Sequence, residues 1–146
     1  MAEGEDPAVK SKVDVAGRRL EERGAALVEF ALVLPLLLII LFGIIEFGIA
    51  FNRAQAVEAA AREGGRLASL SVTTQGDINT RVNDTLAGIP LQGAVTVTVS
   101  PGGQPCFGRE GQTVTVEVET PHDVTIPLLF TRTVTLSGEA VFRCEA

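Results

Sequence analysis

The sequence predicts an α+β protein: an N-terminal transmembrane helix that extends outward, a short amphipathic helix, and a small antiparallel sheet of three to four strands. Three observations carry this expectation. An almost uniformly apolar run fills Ala25 to Phe51, an alanine-rich stretch with helical charge spacing follows it to Leu70, and from Ala94 onward valine alternates with polar residues.

The first 23 residues carry both charge signs and little apolar periodicity, so no packed structure is expected of them. The apolar run comes next. Its 27 residues would span roughly 40 Å as a helix, more than the ~30 Å hydrocarbon core of a bilayer. Lys10, Lys12, Arg18, Arg19 and Arg23 precede it, and Arg53, Arg62 and Arg66 follow within a similar distance. That bias places the N-terminus in the cytoplasm and the rest of the chain outside. Cys106 and Cys144 both follow the run, an even count that suits one disulfide in an oxidising compartment and agrees with that orientation. A pair of free thiols packed in the core is the alternative.

Residues 52 to 70 read as an extension of the same helix. Glu58, Arg62 and Arg66 recur at four-residue steps, opposite a stripe of Val57, Ala60, Ala61, Gly64 and Ala68. The small stripe fits packing on the chain's own head and also permits close approach to another helix. The Gly64-Gly65 pair is expected to weaken or bend the helix.

The remaining residues, 71 to 146, form the expected extracytoplasmic head. Ile78, Val82 and Leu86 lie on one face of a short helix that Gly88 and Pro90 stop. Three strands follow, with inward faces of Val95, Val97 and Val99, then Val114, Val116 and Val118, then Val134, Leu136, Ala140, Phe142 and Cys144. The Gly- and Pro-rich segment from Pro101 to Gln112 puts Cys106 on a loop. A Cys106–Cys144 bond would be worth about 4 kcal/mol in the chain-entropy model, decisive for a core this small.

Several functions find no support. Net charge is −6, and seven Phe stand without Tyr or Trp, so the basic stripes and stacking platforms of nucleic-acid binding are missing. His122 lies in "TPHDVTIP", which reads as a turn with a surface histidine. Glu117, Glu119 and Glu139 fall on the outward strand faces, no cluster has metal-ligand spacing, and the Pro101–Gly111 loop lacks the lysine of a phosphate cradle. No enzyme, cofactor, metal site or small-molecule substrate is expected.

Two carboxylates inside the apolar run ask for an explanation, because an acid at mid-membrane costs roughly 2.5 to 3.5 kcal/mol. Glu29 has no basic residue within one turn downstream. Cleavage of the Gly24–Ala25 bond would create an α-amino group four residues before it. Glu46 lies near the far boundary, where interfacial water is within reach. Pro35 removes a helix hydrogen bond, frees the carbonyl of Ala31 and predicts a kink, with or without a role.

Gly24 followed by "AALVEF" resembles the type IV prepilin processing pattern, with Glu29 and the aromatic Phe30 at the fifth and sixth positions after the glycine. The wider block, "RGAALVEFALVLP", "IEFG" and "AAREG" in order, is similar to the TadE-like family of pseudopilins of the tight-adherence (Tad or Flp) pilus machinery. The resemblance covers Arg23 to about Leu70, a third of the chain. It implies a pilin-like fold and a cytoplasmic leader, residues 1 to 24, removed by a prepilin peptidase at Gly24 and Ala25. It further implies a helix in which Glu29 pairs with the terminal amine of a neighbouring subunit, with Glu29 and Phe30 serving peptidase recognition and assembly. Implied partners are that peptidase, other pilins or pseudopilins and the assembly platform in the inner membrane. Two rival readings stay open: a secretory signal cut after "AQA" at Ala54–Ala56, and a plain single-pass anchor displaying a scaffold or adhesion domain.

Overall fold

A computed structural model describes the backbone of residues 7–106, 108–127 and 129–145, and the side chains from Gly24 onward apart from those of Phe107, Leu128 and Ala146. The chain divides into two compact units, Met1–Leu41 and Phe42–Ala146. The described residues of the first belong to helix α1, Pro7–Ala68. Helix therefore begins well before Ala25, in the segment where no regular structure was expected. Pro at the first helical position has the right φ and no amide to orphan, and Ala, Lys, Glu, Arg and Leu then propagate the helix at little cost. The five basic residues that set the expected orientation lie outside the described side chains.

From Leu27 to Phe51 the large apolar side chains of α1 are exposed, apart from the half-buried Ile39. Gly24–Ala68 is long and apolar enough to cross a membrane, and none of its most apolar window is buried. Water would not tolerate such a surface on an isolated helix; lipid or other apolar helices would.

In the second unit the exposed helix acquires a buried stripe. Val57, Ala60, Ala61 and Ala68 join Ile78, Val82, Leu86, Val99, Val114, Val116, Val118, Ala140, Cys106 and Cys144 in one core. The small face of α1 is thus used by the chain's own head. The helix also runs on unbroken through Gly64 and Gly65, against the expectation of a bend. Both glycines are buried under partners. A Cβ at Gly64 would lie 2.9 Å from Val82 Cγ2, and one at Gly65 would lie 2.7 Å from the Phe142 ring. Across the interface Gly138 does the same for the sheet, since a Cβ there would meet the backbone of Glu58 at 2.7 Å. Glycine on both surfaces lets helix and sheet approach backbone to backbone, and the packing gained outweighs the propensity lost.

Helix α2, Gln75–Leu86, buries Ile78, Val82 and Leu86 as their spacing predicts. Thr74 and Asp77 form a capping box: the Asp77 carboxylate accepts from the Thr74 amide at 2.9 Å, and Thr74 Oγ1 accepts from the Asp77 amide at 3.3 Å.

The sheet has three antiparallel strands in the order β1 (Thr96–Ser100), β2 (Thr113–Ile126), β3 (Phe130–Arg143). The β2–β3 hairpin is much longer than the valine alternation suggested, pairing from Thr113↔Arg143 to Ile126↔Phe130. Pro121 does not interrupt it, for a reason visible in the register. β1 pairs only with Thr115–Glu119, so residue 121 lies past its end. There the odd-numbered amides of β2 face an edge without a strand: the amide of Asp123 donates to Gln92 Oε1 at 2.6 Å, and that of Thr125 donates to Glu46 Oε1. Pro121 occupies the same edge, where no donor is required. The hairpin lies along α1. From Phe142 beside Gly65 to Gly138 beside Glu58 the strand advances four residues and the helix seven, or about 13 Å against about 10 Å.

Cys106 and Cys144 are bonded, with Cα atoms 5.3 Å apart. The bond sits over the C-terminus of α1, whose last carbonyls need partners. The Cys106 amide donates to Ala68 O at 3.1 Å and the Glu145 amide donates to Ser69 O at 3.0 Å, so the bonded segments also cap the helix.

Candidate functional site

Gly24, Ala25, Glu29, Phe30 and Pro35 all lie on α1 within the first unit, and all are exposed. Among the described residues, none of them has a side-chain hydrogen-bond or ion-pair partner. A Cβ at Gly24 would meet nothing within 4 Å, so packing does not demand the glycine there as it does at Gly64, Gly65 and Gly138. Glu29 likewise has no ion-pair partner among the described residues. This helix surface presents an apolar stripe with one carboxylate and, among the described residues, nothing to neutralise it.

Glu46 is different, and the structure corrects the reading of its neighbourhood. His122 is not on a surface turn. It lies in β2 and is 1 % exposed. Its inward direction continues the parity of Val114, Val116, Val118 and Thr120, which are all buried. Arg53 Nη1 donates to His122 Nδ1 at 2.7 Å. A guanidinium cannot accept, so Nδ1 must be the acceptor and the ring proton of the neutral form resides on Nε2. Nε2 faces Glu46 Oε1 at 3.8 Å, and that same oxygen accepts the Thr125 amide at 3.3 Å. The acid within the apolar run is therefore bound to the hairpin edge instead of being left to interfacial water.

Sequence reasoning missed this cluster, although two signals marked it. Glu46 and Arg53 stand seven residues apart, on the helix face that continues into Val57, Ala60 and Gly64. The even parity of β2 points at His122 once Pro121 is read as an edge residue. Among the described residues, no group of three or more His, Cys, Asp or Glu is placed to hold a metal ion.

An N-terminal helix of membrane-crossing length, continuous with a small disulfide-bonded α+β head, defines the class of protein. Residues 24–66 match the model of the TadE-like protein family, which supports TadE-like membership. The match begins at Gly24 and ends two residues before the end of α1. No curated protein and no solved structure matches the chain.

Proposed function

We propose that this protein is a non-catalytic minor pilin, or pseudopilin, that takes part in assembly of a Tad-type pilus or a related surface or secretion apparatus. It enters the inner membrane with its N-terminus in the cytoplasm and its head outside. A prepilin peptidase recognises Gly24, Glu29 and Phe30 and cuts between Gly24 and Ala25. The new α-amino group, with an ordinary pKa of about 7.7 to 8.0, is cationic enough near neutral pH to pair with Glu29 of a neighbouring copy or pilin. That pairing neutralises the buried acid and fixes the axial register of one helix against the next. Pro35 leaves the Ala31 carbonyl free to accept from a neighbour or water.

The observation that carries this reading is the coincidence of the family match with an apolar helix whose only unpaired acid among the described residues is Glu29. The intact mass of the protein extracted from native membranes tests it. Loss of residues 1 to 24 is expected, with Gly24→Ala retaining them. Glu29→Ala is expected to leave the protein expressed and membrane-bound while it fails to co-purify with the pilus or its platform. A parent protein that keeps Met1 through Gly24 would overturn the proposal.

A further inference from the structure

We infer that the apolar end of the β2–β3 hairpin, presented by Leu129 and Phe130, is a second membrane contact that enters the lipid interface beside α1. The inference rests on the reading of the Ala25–Phe51 run as membrane-embedded.

Hairpin turns facing water are ordinarily polar and rich in Gly, Asn or Asp. This one is not. From Val124 to Thr131 the sequence "VTIPLLFT" carries no charge, and Leu129 and Phe130 are 55 % and 52 % exposed. The described residues of the tip also need few hydrogen bonds. Pro127 has no amide, the Leu129 amide donates to Ile126 O at 3.1 Å, and the Thr125 amide is taken by Glu46. Such economy with donors is what a low-dielectric medium demands.

Position selects lipid as the occupant. Glu46, which holds Thr125, lies five residues inside the end of the apolar run at Phe51, about 7 Å along the helix axis. Successive contacts carry the hairpin in that direction: Gly138 lies beside Glu58, His122 bonds Arg53, and Thr125 bonds Glu46. Phe47, Ile49 and Phe51 on the adjoining helix are exposed as well. The apolar tip is thus continuous in depth with a surface that already requires lipid, and phenylalanine is well suited to the headgroup boundary. Glu46 acquires a reason: it satisfies a strand-edge amide that would otherwise enter the membrane unpaired.

The full chain, with Cys106 and Cys144 in their disulfide, accepts a single reporter thiol. Leu129→Cys, Phe130→Cys, Leu36→Cys and Val72→Cys are each labelled with an environment-sensitive fluorophore. Each is then reconstituted into phosphatidylcholine vesicles containing spin-labelled lipid. Val72, 86 % exposed in the head, is the aqueous reference. Labels at Leu129 and Phe130 are expected to shift to the blue and to be quenched by shallow spin labels, and the Val72 label to remain unquenched. If Leu129 and Phe130 behave like Val72 while Leu36 is quenched by deep labels, the inference is overturned and the embedded helix stands. If the Leu36 label is not quenched, the embedded-helix reading fails and takes the inference with it.

Discussion

His122 shows how much one side chain can decide. It is an almost wholly buried polar group whose Nδ1 is the acceptor for Arg53, and its ring fills space between helix and sheet. His122→Ala removes that acceptor, strands a guanidinium N–H and leaves a cavity. The expected loss is about 1 to 3 kcal/mol of head stability, measurable by denaturant titration of the detergent-solubilised full chain. Asp77 supplies a different test. The hydroxyl of Thr74, and then its amide, hold the Asp77 carboxyl below its usual value of 3.8. A carboxyl depressed in the folded state stabilises that state above the unfolded pKa and ceases to do so as pH falls through the folded value. The protection of amides at the start of α2 against hydrogen exchange, relative to the unfolded chain at the same pH, is therefore expected to fall on acidification below the ordinary carboxylate range, and Asp77→Asn to abolish that pH dependence.

At the scale of elements, the glycines rank by what a methyl group would strike. At Gly64 it meets the tip of a valine, which can shift, and alanine regains helix propensity. At Gly138 it meets the backbone of Glu58, which cannot move without displacing α1. Gly138→Ala is therefore expected to destabilise the head by about 1 to 3 kcal/mol, and Gly64→Ala by clearly less; thermal melts of the two variants side by side decide it. The same comparison shows what the sequence could express. The apolar run, the i, i+4, i+8 pattern of α2 and the alternating valines are local periodicities, and each produced its element. The unbroken helix through Gly64-Gly65 and the strand through Pro121 depend on partners far along the chain, which no local pattern encodes. The candidate site residues divide the same way. Gly24, Ala25, Glu29, Phe30 and Pro35 are a linear motif and stand out in sequence, whereas the contact between Glu46, Arg53 and His122 exists only after folding.

For the whole molecule, the disulfide bears most on survival of the head. Cys106 and Cys144 are 38 residues apart, a closure worth about 4 kcal/mol in the chain-entropy model, against a core that supplies roughly 3 to 5 kcal/mol at this size. Reduction, or a Cys106→Ser and Cys144→Ser double substitution, is expected to lower the melting temperature sharply and to expose the head to protease. The helical content of the apolar run should persist under the same treatment, as followed by circular dichroism in detergent.

The glycine-lined seam has a mechanical consequence. Because the long hairpin runs beside α1 and is held at Gly65, Glu58, Arg53 and Glu46 in turn, a pull along the helix axis loads that seam in shear. All of its attachments then resist together instead of parting one after another. Within the second unit, residues 46 to 65 of α1 and the hairpin would then yield as one piece and not strand by strand.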